Sequence, residues 1–277
     1  MPVLQSTIEE TVHIALREDV GEGDITAELI PADAVSLANV ISREACVFCG
    51  MDWFEEVFRQ IDDEVFIEWH VQDGDSIDAD ETICSLSGPA RSLLTGERTA
   101  LNFVQTLSAT ATIASRYAAA VAGTNSVVLD TRKTIPGLRA AQKYAVSCGG
   151  CQNHRMGLFD AILIKENHIL AAGDIQTAVD EARFHNPGFP VEIEVESISQ
   201  LEAAFNAGVD RVLLDNFTTD QIREAVKLSN GKIPLEASGG ITLDNIRQYA
   251  ETGVDFISTG SLTKDIIAID LSMRFSM

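Results

Sequence analysis

Six short apolar runs in the second half of the chain each end in a residue able to do chemistry. Val127-Val128-Leu129 runs into Asp130 with Arg132 just beyond, and Ala161-Ile162-Leu163-Ile164 runs into Lys165. Val191 to Glu196 carries Glu194 and Glu196, and Val212-Leu213-Leu214 runs into Asp215. Leu235-Glu236-Ala237 ends at Ser238, and Phe256-Ile257 at Ser258. In parallel α/β folds the carboxyl ends of the strands carry the site. One polar residue there ordinarily caps a helix; six in succession, of both charge signs, exceed what capping needs. The chemistry they suit is the handling of a small, multiply charged anion. Residues 130–168 hold six bases (Arg132, Lys133, Arg139, Lys143, Arg155, Lys165) against three acids, with His154 and His168 in the same stretch. Arginine offers a planar fork for carboxylate or phosphate, and lysine a compact point charge. Lys165 follows an apolar run, so its ammonium needs an anionic partner, either a ligand or Glu194.

Val191-Glu192-Ile193-Glu194-Val195-Glu196 alternates strictly, which puts three carboxylates on one face of a strand. They repel one another and call for cations: Lys133, Lys165 or a divalent metal. Glu194 and Asp215 are suited to Mg²⁺ shared with phosphate and water, or equally to sugar hydroxyls. Ser238-Gly239-Gly240-Ile241-Thr242 and Ser258-Thr259-Gly260-Ser261 each follow a strand and are expected to open a helix. Their bare N–H groups there suit a phosphate.

These residues sit in an acidic chain of 277 residues with a net charge of −22, a poor partner for nucleic acid or an anionic membrane. Residues 44–82 alone hold thirteen acids and one base, Arg59. No apolar run approaches the roughly 20 residues that span a bilayer. The first residues lack a basic-then-apolar leader. Five cysteines, an odd number, fit a reducing compartment, so a cytoplasmic location is expected. Cys46-x-x-Cys49 and Cys148-x-x-Cys151 lie about a hundred residues apart, whereas structural zinc pairs lie closer, so zinc is not expected.

The elements that must position the site fall into two sets. Ile8, Thr11, Val12, Ala15 and Leu16 predict an amphipathic helix over 6–18. Short strands at 35–42, 46–49, 65–71 and 82–86 surround one helix at 53–58, which reads as a small α+β domain. Residues 92–122, free of proline and rich in Ala and Leu, read as one or two helices. From about residue 125 strand and helix alternate, which means a parallel sheet. Six units in about 150 residues fall short of a full eight-unit barrel. An incomplete barrel or an open doubly wound sheet is left.

The motifs closely resemble one family, the quinolinate phosphoribosyltransferases. The likeness is carried by Glu18-Asp19-Val20-Gly21-Glu22-Gly23-Asp24-Ile25-Thr26, Glu97-Arg98-Thr99-Ala100-Leu101-Asn102-Phe103, and Asp130-Thr131-Arg132-Lys133-Thr134-Ile135-Pro136-Gly137-Leu138-Arg139. Asn153-His154-Arg155, Leu163 to His168, Glu194-Val195-Glu196, Leu214 to Phe217, Glu236 to Ile241 and Gly253 to Ser258 carry it further. Cys151, Ala109-Thr110 and Lys264-Asp265 depart from the family pattern outside the expected site.

The resemblance implies an N-terminal open α/β sandwich (residues 1–108, with the linking helix) and an incomplete, six- or seven-stranded α/β barrel (109–277). The C-terminal tail is expected to pack back on the first domain. It implies a homodimer with shared sites, in which Arg98 reaches the partner's site and clamps a quinolinate carboxylate. Thr131, Arg132, Lys133, His154, Arg155 and Lys165 would complete the substrate pocket. Glu194 and Asp215 would meet the ribose hydroxyls or Mg²⁺ on the pyrophosphate, and with Lys133 and Lys165 form the catalytic set. Ser238, Gly239, Gly240, Thr259, Gly260 and Ser261 would hold the 5′-phosphate. The implied reaction is decarboxylating phosphoribosyl transfer from phosphoribosyl pyrophosphate to quinolinate. The alternative is a non-decarboxylating transferase acting on nicotinate or another anionic ring.

Overall fold

The computed structural model describes residues 3–276. In chain order the first elements are helix α1 (Gln5–Asp19), strands β1 (Val35–Ser42) and β2 (Cys46–Val47), and helix α2 (Met51–Ile61). Strands β3 (Phe66–Trp69), β4 (Ser76–Ile77) and β5 (Thr82–Pro89) follow, then helix α3 (Ala90–Ala120). Next come β6 (Val127–Leu129), α4 (Arg139–Cys148), β7 (Ile162–Ile164), α5 (Glu166–Ala172), α6 (Ile175–His185), β8 (Val191–Val195) and α7 (Ile198–Ala207). The chain closes with β9 (Arg211–Asp215), α8 (Thr219–Ser229), β10 (Leu235–Ser238), α9 (Ile246–Ala250), β11 (Phe256–Ser258), α10 (Ser261–Lys264) and β12 (Leu271–Ser276). They divide into two compact units. One holds the chain up to Ser115, Thr134–Gly150 and everything from Leu262; the other holds Arg116–Lys133 and Cys151–Ser261.

In the first unit, an antiparallel sheet runs in the order β12-β1-β5-β3. Its edge strand β12 pairs with β1 in a register that sets Val40 opposite Met273. The alternation Leu271, Met273 buries one face of β12. The α2 face Trp53, Phe54, Val57, Phe58 repeats at helical spacing and is buried. The Phe54 ring lies 5.3 Å from both Phe58 and Trp69. Of residues 92–122, read as one or two helices, all but the last two belong to the single 31-residue α3, because no proline interrupts the ladder. Gly96 lets that helix approach α2: a Cβ there would stand 2.5 Å from the Phe58 ring.

In the second unit, six parallel strands run in the order β6-β11-β10-β9-β8-β7. Among the described residues β6 and β7 do not pair, so the barrel is incomplete, with six strands. Gln152 adds a one-residue parallel bridge to Leu129 on the far edge of β6.

Two expectations change. A two-residue strand, β4, pairs with β2 where the sequence marked only turns, since two residues carry no readable alternation. The loop after β10 does not open a helix directly; α9 starts at Ile246. Asn245 closes the intervening turn, accepting from the Thr242 N–H (2.8 Å) and donating to the Gly240 carbonyl (3.1 Å).

Candidate active site

Neither strand-end acid of β8 and β9 is spent on capping. Helix α7 takes its cap from Ser197 and helix α8 from Thr218, each three residues beyond the strand-end acid. Glu194 and Asp215 are thereby left for other work.

The three alternating carboxylates of β8 have three fates. Glu192, deepest, meets His154 Nε2 at 2.9 Å, and the same nitrogen lies 3.5 Å from Glu236. Glu194 at the rim binds Lys165 Nζ at 2.6 Å. Glu196, past the strand end, is exposed. So Lys165, one of the cations that the alternation called for, takes the protein carboxylate as its partner, while Glu192 is met by His154, which was not among them. Arg211 neutralises Glu236 from the other side at 3.1 Å, its guanidinium stacked 4.1 Å from the Phe256 ring.

Burial alone would push the His154 pKa down, but the Glu192 and Glu236 carboxylates outweigh it and push it up to about 9. A folded pKa above the unfolded value means that this group's stabilisation is complete below about pH 6.5 and is lost as pH rises through 9. We therefore expect Glu192→Gln to flatten the fall in thermal stability between about pH 7 and 10. Unfolding curves of both proteins at several pH values measure this; an unchanged slope refutes the pairing.

Asp130 shows how a strand end can serve a site without touching ligand. Fully buried, its carboxylate accepts from the Asn153 side chain (2.7 Å) and the His154 backbone N–H (2.9 Å). It thus fixes the segment that carries His154 and Arg155.

Arg132, Arg155 and Lys165 line one cavity of about 320 Å³ with His168, Asn186, Leu158, Phe159 and Phe189. Burial lowers the Arg155 pKa, and the nearby positive charge of Arg132 lowers it further. Two guanidiniums brought together at a partly buried mouth favour an anion between them. The aromatic and aliphatic walls suit a flat ring. His168, Asn186, Leu158, Phe159 and Phe189 were not singled out as site residues from the sequence; the exposed pair Leu158-Phe159 beside Arg155 was the available signal.

Beside this cavity's Lys165 stands Asp215, half-buried. Burial first, and then the Glu194 charge, raise its pKa, while Lys165 opposes the shift. Asn216, at a left-handed φ of 55°, donates to Asp215 Oδ2 at 2.8 Å. Gly239 gives Asn216 its room: a Cβ there would stand 2.2 Å from Asn216 Oδ1. The two small-residue loops are also tied together. The Thr259 hydroxyl donates to the Ile241 carbonyl at 2.9 Å, and the Thr259 N–H to Leu129. Gly260 lies against Thr131 and the exposed Lys133; a Cβ on it would stand 2.9 Å from Lys133 Cδ. Ser238 ends β10, Gly240 is open to solvent, and Ser261 starts α10.

The cationic stretch is divided between the units. Arg139 and the fully buried Lys143 lie on α4 in the first unit, as does Arg98 on α3. Arg98 is exposed and lines a cleft there with Asp19, Asp24 and Thr95.

The sequence matches two family descriptions in tandem: "Quinolinate phosphoribosyl transferase, N-terminal domain" over residues 24–108 and "Quinolinate phosphoribosyl transferase, C-terminal domain" over 110–274. A Bacillus subtilis protein named as a probable carboxylating nicotinate-nucleotide pyrophosphorylase is 41% identical over 262 residues, covering 94% of this chain and 90% of its own. The carboxylating nicotinate-nucleotide pyrophosphorylase of Mycobacterium leprae is 40% identical, covering 95% of each chain. The solved nicotinate-nucleotide pyrophosphorylase of Francisella tularensis superimposes with a TM-score of 0.97 at 46% identity, covering 99% of this chain and 98% of that one.

Proposed function

The chain belongs to the quinolinate phosphoribosyltransferase family, and from that premise we propose how its residues divide the work of the reaction. The enzyme transfers the phosphoribosyl group of phosphoribosyl pyrophosphate to quinolinate, releasing pyrophosphate, CO₂ and nicotinate mononucleotide, a step of NAD biosynthesis. One observation carries the assignment of the pocket: Arg132, Arg155 and Lys165 on the wall of a single cavity, with Arg132 working against the charge of Arg155. A dicarboxylate relieves that repulsion.

Quinolinate's two carboxylates are held by these cations, with His154 fixed behind them and Arg98 supplied by a second copy of the chain. The ring nitrogen attacks the anomeric carbon as its bond to pyrophosphate breaks. Glu194 and Asp215 face the ribose and stabilise the oxocarbenium-like state. The adjacent carboxylate then departs as CO₂ and leaves its electron pair on the ring carbon, where the neighbouring cationic nitrogen stabilises it until a proton takes the place of the carboxylate. Holding both polyanions in line supplies several kcal/mol of the acceleration. The loops at Ser238–Gly240 and Thr259–Ser261 receive the 5′-phosphate, with Thr131 and Lys133 alongside.

Glu194 and Asp215 also fit Mg²⁺. The Glu194 charge raises the Asp215 pKa, so a dication near the pair relieves their repulsion. Mg²⁺ would neutralise charge on the leaving pyrophosphate.

The five cysteines, an odd number, support a cytoplasmic location. No helix among the described residues is long and apolar enough to cross a membrane. The test is incubation with phosphoribosyl pyrophosphate, Mg²⁺ and either quinolinate or nicotinate. CO₂ and nicotinate mononucleotide form with quinolinate; product from nicotinate alone overturns the reading.

A further inference from the structure

In the first unit the fold gathers three residues that lie far apart in the sequence. Cys49 follows β2 and is fully buried, Asp73 sits in the turn before β4, and Cys148 is the last residue of α4. One ligand atom from each, two sulfurs and a carboxylate oxygen, lies within 4.8 Å of the other two. The two Cys-x-x-Cys pairs thus contribute one residue each, which their separation in sequence argued against.

Asp73 is already oriented. Its Oδ1 accepts from the Gly50 and Met51 N–H groups at 2.8 and 3.2 Å, and its Oδ2 from the Tyr144 hydroxyl at 2.8 Å. A carboxylate oxygen has two lone pairs, so these bonds leave Oδ2 one to give. Hydrogen bonds of this kind fix the carboxylates that bind metals. A second acid, Asp52, acts on Asp73, and a cation at the site would offset that repulsion. Two soft sulfurs and one hard oxygen, mostly shielded from water, select a borderline-soft cation that takes four ligands in a tetrahedron. Zinc–sulfur bonds of about 2.3 Å set tetrahedral ligand atoms roughly 3.8 Å apart, so a contraction of at most about 1 Å is needed.

We propose that Cys49, Cys148 and Asp73 bind one zinc ion in the first unit, with the Tyr144 hydroxyl or water as fourth ligand. None of the three is a residue assigned to the reaction. The site ties the end of α4 to the start of α2.

The whole chain, stripped with EDTA under reductant, is given one equivalent of ZnCl₂ and desalted, and retained zinc is counted by mass spectrometry. About one zinc per chain is expected for the wild type and for Cys84→Ser, and at least a tenfold loss in Cys49→Ser/Cys148→Ser. A second measurement needs no variant: Co²⁺ added to the wild type gives a thiolate-to-cobalt charge-transfer band in the near ultraviolet. No retained zinc and no such band overturn the proposal, as does full retention by the folded double variant. Recovery of Cys49 and Cys148 only as a disulfide, with no zinc taken up after reduction, overturns it too. Both readouts are independent of transferase activity.

Discussion

Replacing Lys165 with alanine lowers kcat/KM for phosphoribosyl transfer by about 1,000-fold or more while the protein stays folded. The Lys165 ammonium lies 2.6 Å from Glu194 and lines the cavity with Arg132 and Arg155. Its removal takes one cation from the dicarboxylate pocket and unmasks the charge of Glu194 beside Asp215. Both losses fall on the crowded, charged state in which the two substrates meet. The fold survives because the Lys165 side chain is 46% exposed, and ion pairs so exposed contribute about 1 kcal/mol or less. Steady-state kinetics with circular dichroism and urea unfolding separate the two effects. Activity within a few-fold of wild type removes Lys165 from the site.

Mixing inactive Arg98→Ala with inactive Lys165→Ala restores activity. Arg98 stands in the first unit and Lys165 in the second, and we have assigned Arg98 to the site of a second copy. In a mixed dimer one site carries both substitutions and the other neither. Random reassortment makes half of the dimers mixed, so roughly a quarter of wild-type activity returns, and a single chain cannot give that result. Subunit exchange is followed by native mass spectrometry. Proven exchange without recovered turnover eliminates the shared site. A lone-chain mass with no recovery eliminates the dimer.

Much of the site was legible because a β-strand's period is two and its carboxyl end faces one way. Strict alternation at 191–196 placed Glu192, Glu194 and Glu196 on one side, and Glu194 does meet Lys165. What alternation does not reveal is depth. Glu192 is turned inward to His154, and the same histidine draws on Glu236, which stood in its own strand as an unremarked acid. Cations alone did not reveal the apolar wall either. Phe159 and Phe189 reach the cavity from loops, where no period marks them. In the fold, β4 has two residues, too few for a pattern, and β12 reads as a strand only once β1 is available to pair with it. The distance rule that set aside a cysteine site is likewise blind to space. It counts residues along the chain, whereas Cys49 and Cys148 are brought together by contacts made across it.

The pairing of β12 with β1 also bears on how the protein is made. Residues 35–42 leave the ribosome well before their neighbour on that edge, 271–276, which is made roughly 230 residues later. At about 5–20 residues per second the wait is on the order of 10–45 s. Throughout it β1 presents an unpaired row of amides and carbonyls, the kind of edge on which nascent chains aggregate. All six strands of the parallel sheet are synthesised in the interval, so the second unit can complete itself while the first still lacks a strand. Loss of β12 would therefore damage the earlier-made of the two larger sheets rather than the later.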